Sequence, residues 1–323
     1  DMAAGYGFIP ALVILWSNYL EGTWSSEMSK LPNMPWDAVE PYCKYVVNRF
    51  KKYEPVLIIS GDTKFESENI TNSYLTALKI AKAVSPWSLT CLHLYGGLEE
   101  LPDVFVNSSL LDFYMYQSGH NAEKQYRAYT MARTFANMSV NRPVVNGEPC
   151  YEFLPGDTGF SRKDVRKAAW WSILSGGSAG LGYGAHGLWM WYRKGELSES
   201  GGNLKPIRYG WREALEFKGP EDYAFIKWIS DNFGLYGLTP QYEACSNPEV
   251  RMSMTKDGSR AIIYSPLDME FEIEMELYEY EWTMVKLTEC SFYKPTVYYC
   301  SGKTVFLSHG FDSDLLFIAQ RHH

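Results

Sequence analysis

Strand-like and helix-like segments alternate six times before about residue 190, and this alternation constrains the fold more than any other feature of the chain. Ile9–Trp16 and Pro55–Asp62 are continuous apolar runs, which are typical of strands buried on both faces. Regular alternation predicts parallel strands joined by helical crossovers. The other strand-like segments are residues 89–94, 110–115, 143–146 and the Gly-rich segment 176–184, and the intervening helices are predicted at 38–53, 72–84, 122–138 and 161–174.

A doubly wound sheet and an eight-unit barrel both fit this alternation. The barrel is favoured because polar and aromatic side chains recur at several strand ends, whereas a doubly wound sheet gathers them at one switch point. These residues are Trp16, Asp62, His93, Gln117 and Glu148. Six units are two short of eight, and the chain opens with Asp rather than Met. We therefore expect an α/β fold, a (β/α)8 TIM-type barrel that starts at its third unit.

The pattern changes from about Asn247, where short alternating runs divided by turn residues begin. Such spacing predicts an antiparallel β-sandwich, so we expect a barrel domain over residues 1–240 and a sandwich domain over residues 241–323. A helix at 220–232 bridges them. Within the sandwich, Glu270–Glu276 alternates strictly and presents one acidic face. Period-2 alternation is typical of a strand with a solvated face, so we do not interpret these acids as metal ligands.

Composition excludes several function classes. The 323 residues carry a net charge of −8 without a basic stripe, so we expect no nucleic-acid partner. No apolar stretch approaches the roughly 20 residues that span a bilayer, so we expect no membrane partner. The six Cys form no CxxC pair, which favours free thiols in a reducing compartment such as the cytoplasm, with secretion or the periplasm as the alternative. Aromatic residues reach 16%, which fits either core packing or a cleft that stacks on sugar rings.

Two carboxylates end apolar strands, and each follows a glycine. Asp62 follows Gly61, and Glu148 follows Gly147 and precedes Pro149, which stops a paired strand. Glycine at such a position permits close approach of backbone or substrate. Two facing carboxyls suit glycoside hydrolysis, in which one attacks the anomeric carbon while the other protonates the leaving oxygen. The structural alternative for an Asp at a strand end is an N-cap of the following turn.

Four segments of the chain resemble the apiosidase-like family of barrel glycoside hydrolases (glycoside hydrolase family 140 and relatives). The most specific elements are Gly-Glu-Pro-x-Tyr-Glu and Tyr-Gln-Ser-Gly-His, and the resemblance covers roughly residues 5 to 220. It implies a (β/α)8 hydrolase with Asp62 as acid/base and Glu148 as nucleophile. The four segments are Ile59–Asp62, Leu111–His120, Asn146–Glu152 and Gly176–Trp189.

The resemblance also implies a set of substrate-binding residues. Glu152 is the rival of Glu148 for the nucleophile, and we place it as a supporting or substrate-contacting group. The alternatives are loop packing for His120, a polar plug of the barrel mouth for His93, and packing under the loop for Trp189 and Trp191. The predicted set is Trp16, His93, Gln117, His120, Tyr151, Glu152, Tyr183, His186 and Trp189.

The resulting hypothesis is a retaining glycoside hydrolase that removes a terminal sugar from side chains of plant or bacterial polysaccharides. The alternative is a non-catalytic carbohydrate-binding protein derived from such a hydrolase. No cofactor and no metal are expected, because His93, His120 and His186 lack the spacing of common metal sites. Since the first two barrel units are not seen, a homo-oligomer or a partner chain that completes the barrel is a further expectation.

Overall fold

The computed structural model describes residues 1–29, 31–154, 159–189, 191–196 and 208–322. The chain divides into two compact units. The first unit comprises Asp1–Gln117 and Thr134–Gly147, and the second comprises Ser118–Arg133 and Glu148–His323. The boundary predicted at residue 240 falls inside the second unit, and it stays a prediction.

Helices and strands alternate through the first part of the chain, and strands dominate the last third. The α-helices are Met2–Gly5 (α1), Trp24–Met28 (α2), Val39–Phe50 (α3), Glu68–Val84 (α4), Asp103–Val106 (α5), Arg127–Ala136 (α6), Arg162–Ile173 (α7), Trp211–Ala214 (α8) and Gly219–Phe233 (α9). The strands are Ala11–Trp16 (β1), Val56–Gly61 (β2), Thr90–Cys91 (β3), Tyr114–Tyr116 (β4), Val144–Asn146 (β5), Gly180–Leu181 (β6), Leu238–Pro240 (β7), Arg251–Thr255 (β8), Arg260–Ser265 (β9), Phe271–Ile273 (β10), Tyr280–Lys286 (β11), Ser291–Tyr293 (β12), Val297–Cys300 (β13), Lys303–Phe306 (β14) and Leu315–Arg321 (β15).

The first unit is built on parallel strands, as the alternation predicts. Strand β2 pairs in parallel with β1 and β3, and β4 pairs in parallel with β5. A parallel bridge between His93 and Met115 links the end of β3 to β4. Because the strands are parallel, their carboxyl ends lie at one edge of the sheet, and the residues that follow β2, β3 and β4 emerge together there.

Helix α4 shows why the sequence folds this way locally. Its N-cap Ser67 accepts a hydrogen bond from the Ile70 backbone N–H at 3.3 Å, which satisfies one of the unpaired amides of the first turn. The side chains that α4 buries recur at helical spacing, so one face of the helix supplies the core of the unit. They are Ile70, Ser73, Tyr74, Ala77, Leu78 and Ala81.

The second unit contains two antiparallel sheets, in agreement with the sandwich predicted for this part of the chain. One has the strand order β12-β11-β15-β9-β8-β7, and the other has the order β10-β14-β13. Their inner faces share one apolar core that includes Met252, Ile263, Phe271, Phe306 and Phe317.

The opposite face of the six-stranded sheet is also covered, because α7 and α9 pack on it. Trp170 of α7 and Ile226 of α9 belong to the same buried cluster as Ile262 and Leu316 of the sheet. Helix α7 begins as predicted at Ser161, whose side chain forms a capping box with Asp164. The helices and the sheet of this unit therefore share one core.

A buried ionic network joins the same elements. Arg166 of α7 donates to both carboxylate oxygens of Asp314, at 2.9 and 2.6 Å, and to Asp222 of α9 at 2.9 Å. Tyr264 donates to Asp314 at 3.1 Å, and Arg162 also pairs with Asp222. Arg166, Asp222 and Asp314 are almost fully buried. Removal of one partner from such a network leaves an uncompensated charge in the interior.

Several expectations are refined by the structure. All six cysteines are free thiols, as predicted. The acids of Glu270–Glu276 are surface groups, since Lys303 lies within 3.0 Å of Glu272 and 2.7 Å of Glu274. Strands β7 and β12 are not evident in the sequence pattern. Among the described residues, no helix is long and apolar enough to cross a bilayer.

We predict that Asp314→Ala lowers the free energy of unfolding by about 3–5 kcal/mol, because Arg166 loses two of its three ionic contacts in the interior. Urea denaturation followed by circular dichroism measures the change. Asp231→Ala is the matched control, since Asp231 pairs with Lys227 on the surface of α9 and such pairs contribute about 0.3–0.5 kcal/mol. Equal effects of the two substitutions would contradict the prediction.

Candidate active site

Asp62 stands at the carboxyl end of β2 in a strained conformation. Its φ is +51°, in the left-handed region that few residues other than glycine adopt. A Cβ added at Gly61 would lie 2.3 Å from the Trp16 indole, so only glycine lets that ring pack across the strand end. Gly61 therefore has a packing role beside the predicted acid/base.

The side chains around Asp62 come from the neighbouring loops of the first unit. A carboxylate oxygen of Asp62 and a ring nitrogen of His93 lie within 4.8 Å of each other. The Trp16 ring meets the His93 ring edge-on at 5.9 Å. Asp62 and His93 each offer one atom of the kind that binds a metal ion.

Trp24 fixes the backbone at the same point. Its indole Nε1–H donates to the carbonyl oxygen of Asp62 at 2.7 Å, and its ring meets Tyr95 edge-on at 5.1 Å. The Lys64 ammonium lies 4.0 Å from the centre of the Tyr95 ring and 5.4 Å from Trp24. These three residues form a wall of two aromatic rings and one cation next to Asp62.

Gln117 follows β4 at the same edge of the first unit. It is buried, and its Oε1 has no hydrogen-bond partner within the described part of the chain. A Cβ at Gly96 would lie 3.5 Å from the Gln117 amide, an ordinary van der Waals distance, so the two segments pack closely. The buried amide keeps an unused acceptor.

Glu148 lies in the second unit, where it is paired with a histidine. Its Oε1 is 2.9 Å from Nε2 of His120, and the two side chains are 16% and 23% exposed. An ionised carboxylate only accepts hydrogen bonds, so His120 donates from Nε2 when Glu148 is charged. The pair thus orients one carboxylate oxygen and leaves part of the group accessible.

The loop that carries His120 is fixed to the strand end that carries Glu148. The Gly119 backbone N–H donates to the Glu148 carbonyl oxygen at 3.2 Å. The Tyr151 ring packs against His120, with ring centres 4.4 Å apart. Beside them lies a cavity of about 680 Å³, which is lined by the polar residues His120, Gln125 and Lys167, by Phe160 and by others.

Glu152 lies in a different environment from Glu148. It is 2% exposed, and its Oε2 accepts from the Tyr183 hydroxyl at 2.7 Å and from the Gly219 backbone N–H at 3.1 Å. Burial raises the pKa of this carboxyl, and the two hydrogen bonds oppose the shift. A Cβ at Gly219 would lie 2.4 Å from Oε2. Glu152 therefore ties the Tyr183 loop to the start of α9.

The segment after β6 contributes His186 and Trp189. His186 is buried, and its Nδ1–H donates to the Phe153 carbonyl oxygen at 3.0 Å. Burial lowers the pKa of the imidazole, which favours the neutral form. Trp189 is 45% exposed. Of the residues predicted after β6, Trp189 thus presents the most accessible ring, whereas Tyr183 and His186 hold buried hydrogen bonds.

The sequence of the chain matches a family of known catalytic domains. The model of the apiosidase-like catalytic domain matches residues 1–236. The chain belongs to the apiosidase-like family. Membership of this family identifies the chain as a glycosidase, and its substrate is therefore a carbohydrate. No protein among those with curated descriptions matches the chain.

Solved structures extend the likeness over nearly the whole apiosidase-like chain. A structure described as a glycoside hydrolase is 18% identical with a TM-score of 0.80, and covers 99% of this chain and 74% of its own. A family 5 glycoside hydrolase from Bacteroides vulgatus is 18% identical, with a TM-score of 0.79 and coverages of 99% and 72%. A family 39 glycoside hydrolase from Bacteroides cellulosilyticus is 11% identical, with a TM-score of 0.54 and coverages of 99% and 69%. The fold is thus the TIM-barrel-type α/β fold followed by antiparallel sheets. The start at the third barrel unit stays a prediction.

The roles predicted for Asp62 and Glu148 stay predictions, and the sequence analysis did not name some of the residues that adjoin Asp62. Trp24, Lys64 and Tyr95 adjoin Asp62, although none was predicted as a site residue. The one available signal was the aromatic character of the loop after β1, which contains Trp24 and Trp36.

We predict that Glu152→Gln changes how stability depends on pH. The pKa of Glu152 in the folded protein lies above its ordinary value of 4.5, so the folded state binds this proton more tightly than the unfolded state. The resulting stabilisation is complete below pH 4.5 and is lost as pH rises through the folded-state pKa. The free energy of unfolding of the variant, minus that of the wild type, should therefore increase as pH rises from about 4 to 8.

Urea titrations at unit pH intervals measure this difference. Glu216→Gln is the control, because Glu216 is exposed and its substitution should give a flat profile. A Glu152→Gln profile as flat as that of the control would contradict the prediction.

Proposed function

We propose that this glycosidase removes a terminal sugar from polysaccharide side chains by a retaining mechanism, with Glu148 as nucleophile and Asp62 as acid/base. The proposal depends on one observation, the contrast between the two acids of the Gly-Glu-Pro-x-Tyr-Glu element. Glu148 is partly accessible and bound by His120, whereas Glu152 is buried and holds Tyr183 and Gly219. A nucleophile must reach substrate, so Glu148 fits the role and Glu152 does not.

In the first step, an ionised Glu148 oxygen attacks the anomeric carbon while the bond to the leaving oxygen breaks. Protonated Asp62 gives its proton to that oxygen, which leaves as an alcohol. In the second step, Asp62 takes a proton from water, and the resulting hydroxide displaces Glu148 from the anomeric carbon. The enzyme returns to its starting protonation, and the sugar is released with its original anomeric configuration.

The environments of the two carboxyls support different roles. A hydrogen bond from His120 favours the ionised form of Glu148, as a nucleophile requires. Asp62 lies beside the His93 imidazole, and the general-acid role assigned to it requires that it carry a proton when substrate binds. Such a division of two carboxyls between acid and nucleophile is the arrangement expected of a retaining glycosidase.

For the substrate, we propose a sugar at the end of a side chain of a plant or bacterial polysaccharide. Trp16 and Trp189 are 37% and 45% exposed, and aromatic faces of this kind stack on apolar surface. The unused acceptor of Gln117 suits a sugar hydroxyl. The family description makes apiose the first sugar to test, and a panel of pentose and hexose aryl glycosides extends the search.

We predict that Asp62→Ala lowers kcat/KM by about 10²- to 10⁴-fold on a substrate with a poor leaving group, and that Glu148→Ala lowers it at least as much. The product that each variant forms in the presence of sodium azide distinguishes the nucleophile from the acid/base. Azide that replaces the nucleophile yields a glycosyl azide of inverted configuration, whereas azide that attacks the intermediate in Asp62→Ala yields the retained configuration. Proton NMR of the azide products reads the configuration. Full turnover by Glu148→Ala would overturn the assignment.

Glu152→Gln is the matched control for the nucleophile. It should keep most of the activity and yield no glycosyl azide, because its role is structural. A stable Glu152→Gln without turnover, together with an inverted azide product from Glu152→Ala, would transfer the nucleophile role to Glu152.

The same assays also test two other possible functions. Polysaccharide binding without turnover in the wild type, unchanged in the variant that lacks both carboxylates, would indicate a carbohydrate-binding protein. Activity that is lost with EDTA and restored by a divalent ion would favour a metal-dependent hydrolase with Asp62 and His93 as ligands.

A further inference from the structure

We propose that Trp24 is a positioning residue for Asp62, because its indole N–H holds the Asp62 backbone in the left-handed conformation that directs the carboxyl. The inference rests on the proposed role of Asp62 as acid/base. Under this proposal, the segment after β1 contributes to catalysis through Trp24, which does not need to contact the substrate.

The conformation of Asp62 needs a restraint. A φ of +51° at a residue with a side chain is less favourable than the right-handed region, although Asp tolerates it better than most residues. Such strain persists only where the surroundings over-determine it. Relaxation of φ would rotate the Cα–Cβ bond and move the carboxyl away from its present direction.

Trp24 supplies the restraint through a charge-free hydrogen bond. The bond joins the indole Nε1 to the Asp62 carbonyl oxygen at 2.7 Å, which is a short distance for an N–H donor. The Thr63 backbone continues from that carbonyl and pairs with the Leu94 segment. The carbonyl is therefore fixed from one side by the sheet and from the other by Trp24.

Trp24 is itself held firmly enough to act in this way. Thr23 caps α2, and its hydroxyl donates to the carbonyl oxygens of Ser17 and Leu20 at 2.7 and 3.0 Å. The Trp24 backbone N–H donates to Glu66 at 2.9 Å. The indole thus sits on a restrained helix start rather than on a free loop.

A displaced acid/base has a specific kinetic signature. The first step needs a proton from Asp62 when the leaving group is poor, but not when the aglycone is a stable anion. A loss caused by misplacement of Asp62 should therefore depend on the aglycone, whereas a general loss of structure should affect all substrates alike.

The test compares Trp24→Phe with the wild type on phenyl and 2,4-dinitrophenyl apiosides, or on the same aglycones attached to the sugar that the activity panel identifies. Phe keeps a ring against Tyr95 and Lys64 but removes the donor. We expect kcat/KM on the phenyl glycoside to fall roughly 10- to 100-fold, the order of effect that small misplacements produce. The value on the dinitrophenyl glycoside should change by less than about 2-fold. Trp36→Phe, at another partly exposed tryptophan of the same unit, should change neither.

A double variant separates this inference from the proposed function. In the Asp62→Asn background, Trp24→Phe should cause no further loss, because it acts through Asp62. Equal losses on both aglycones, or a full loss in the Asp62→Asn background, would overturn the positioning role. If Asp62→Asn itself shows no dependence on the aglycone, the proposed function fails instead.

A crystal structure of Trp24→Phe tests the inference without any activity. The variant should show Asp62 with a relaxed φ or in two conformations. An Asp62 that keeps its left-handed backbone and carboxyl direction in the variant would overturn the proposal.

Discussion

Parallel pairing of short strands is the constraint on which the first unit depends. Because the paired strands are parallel, the residues that follow them lie at the same edge of the sheet, beyond the carboxyl ends of the strands. Asp62, His93 and Gln117 are therefore near one another although they are far apart in sequence. The strands themselves need little side-chain chemistry beyond apolar character. The chemistry is concentrated in the residues that immediately follow them, which is how this architecture separates stability from function.

The elements that could be predicted from sequence are those with a physical pattern of their own. β2 is a continuous apolar run that is buried along most of its length, and β1 is a similar run that buries Ile14 and Leu15. Ser161 marks the start of α7 because a capping box needs particular residues three positions apart. The positions of Asp62 and Glu148 directly after strands β2 and β5 were predictable for the same reason, whereas their catalytic roles stay predictions. β12 lacks any such pattern, because most of its residues face solvent.

What could not be predicted depends on partners far along the chain. The burial of Glu152 follows from bonds to residues 31 and 67 positions away, and nothing in the local sequence distinguishes it from Glu148. We attribute the left-handed backbone of Asp62 to the indole of Trp24, which lies 38 residues earlier at the start of α2. In both cases the sequence identified a titratable group, but its environment, and hence its chemistry, is a property of the fold.

The shared core of the second unit bears on where this chain can be divided. Trp170 and Trp171 of α7 are fully buried, and the six-stranded sheet supplies much of the surface that covers their cluster. A protein cut at residue 240 would leave this face of α7 in water and Arg166 without Asp314. The C-terminal sheets are therefore an integral part of the body that holds Glu148 and Glu152, and a recombinant catalytic fragment that omits them should be insoluble rather than merely smaller.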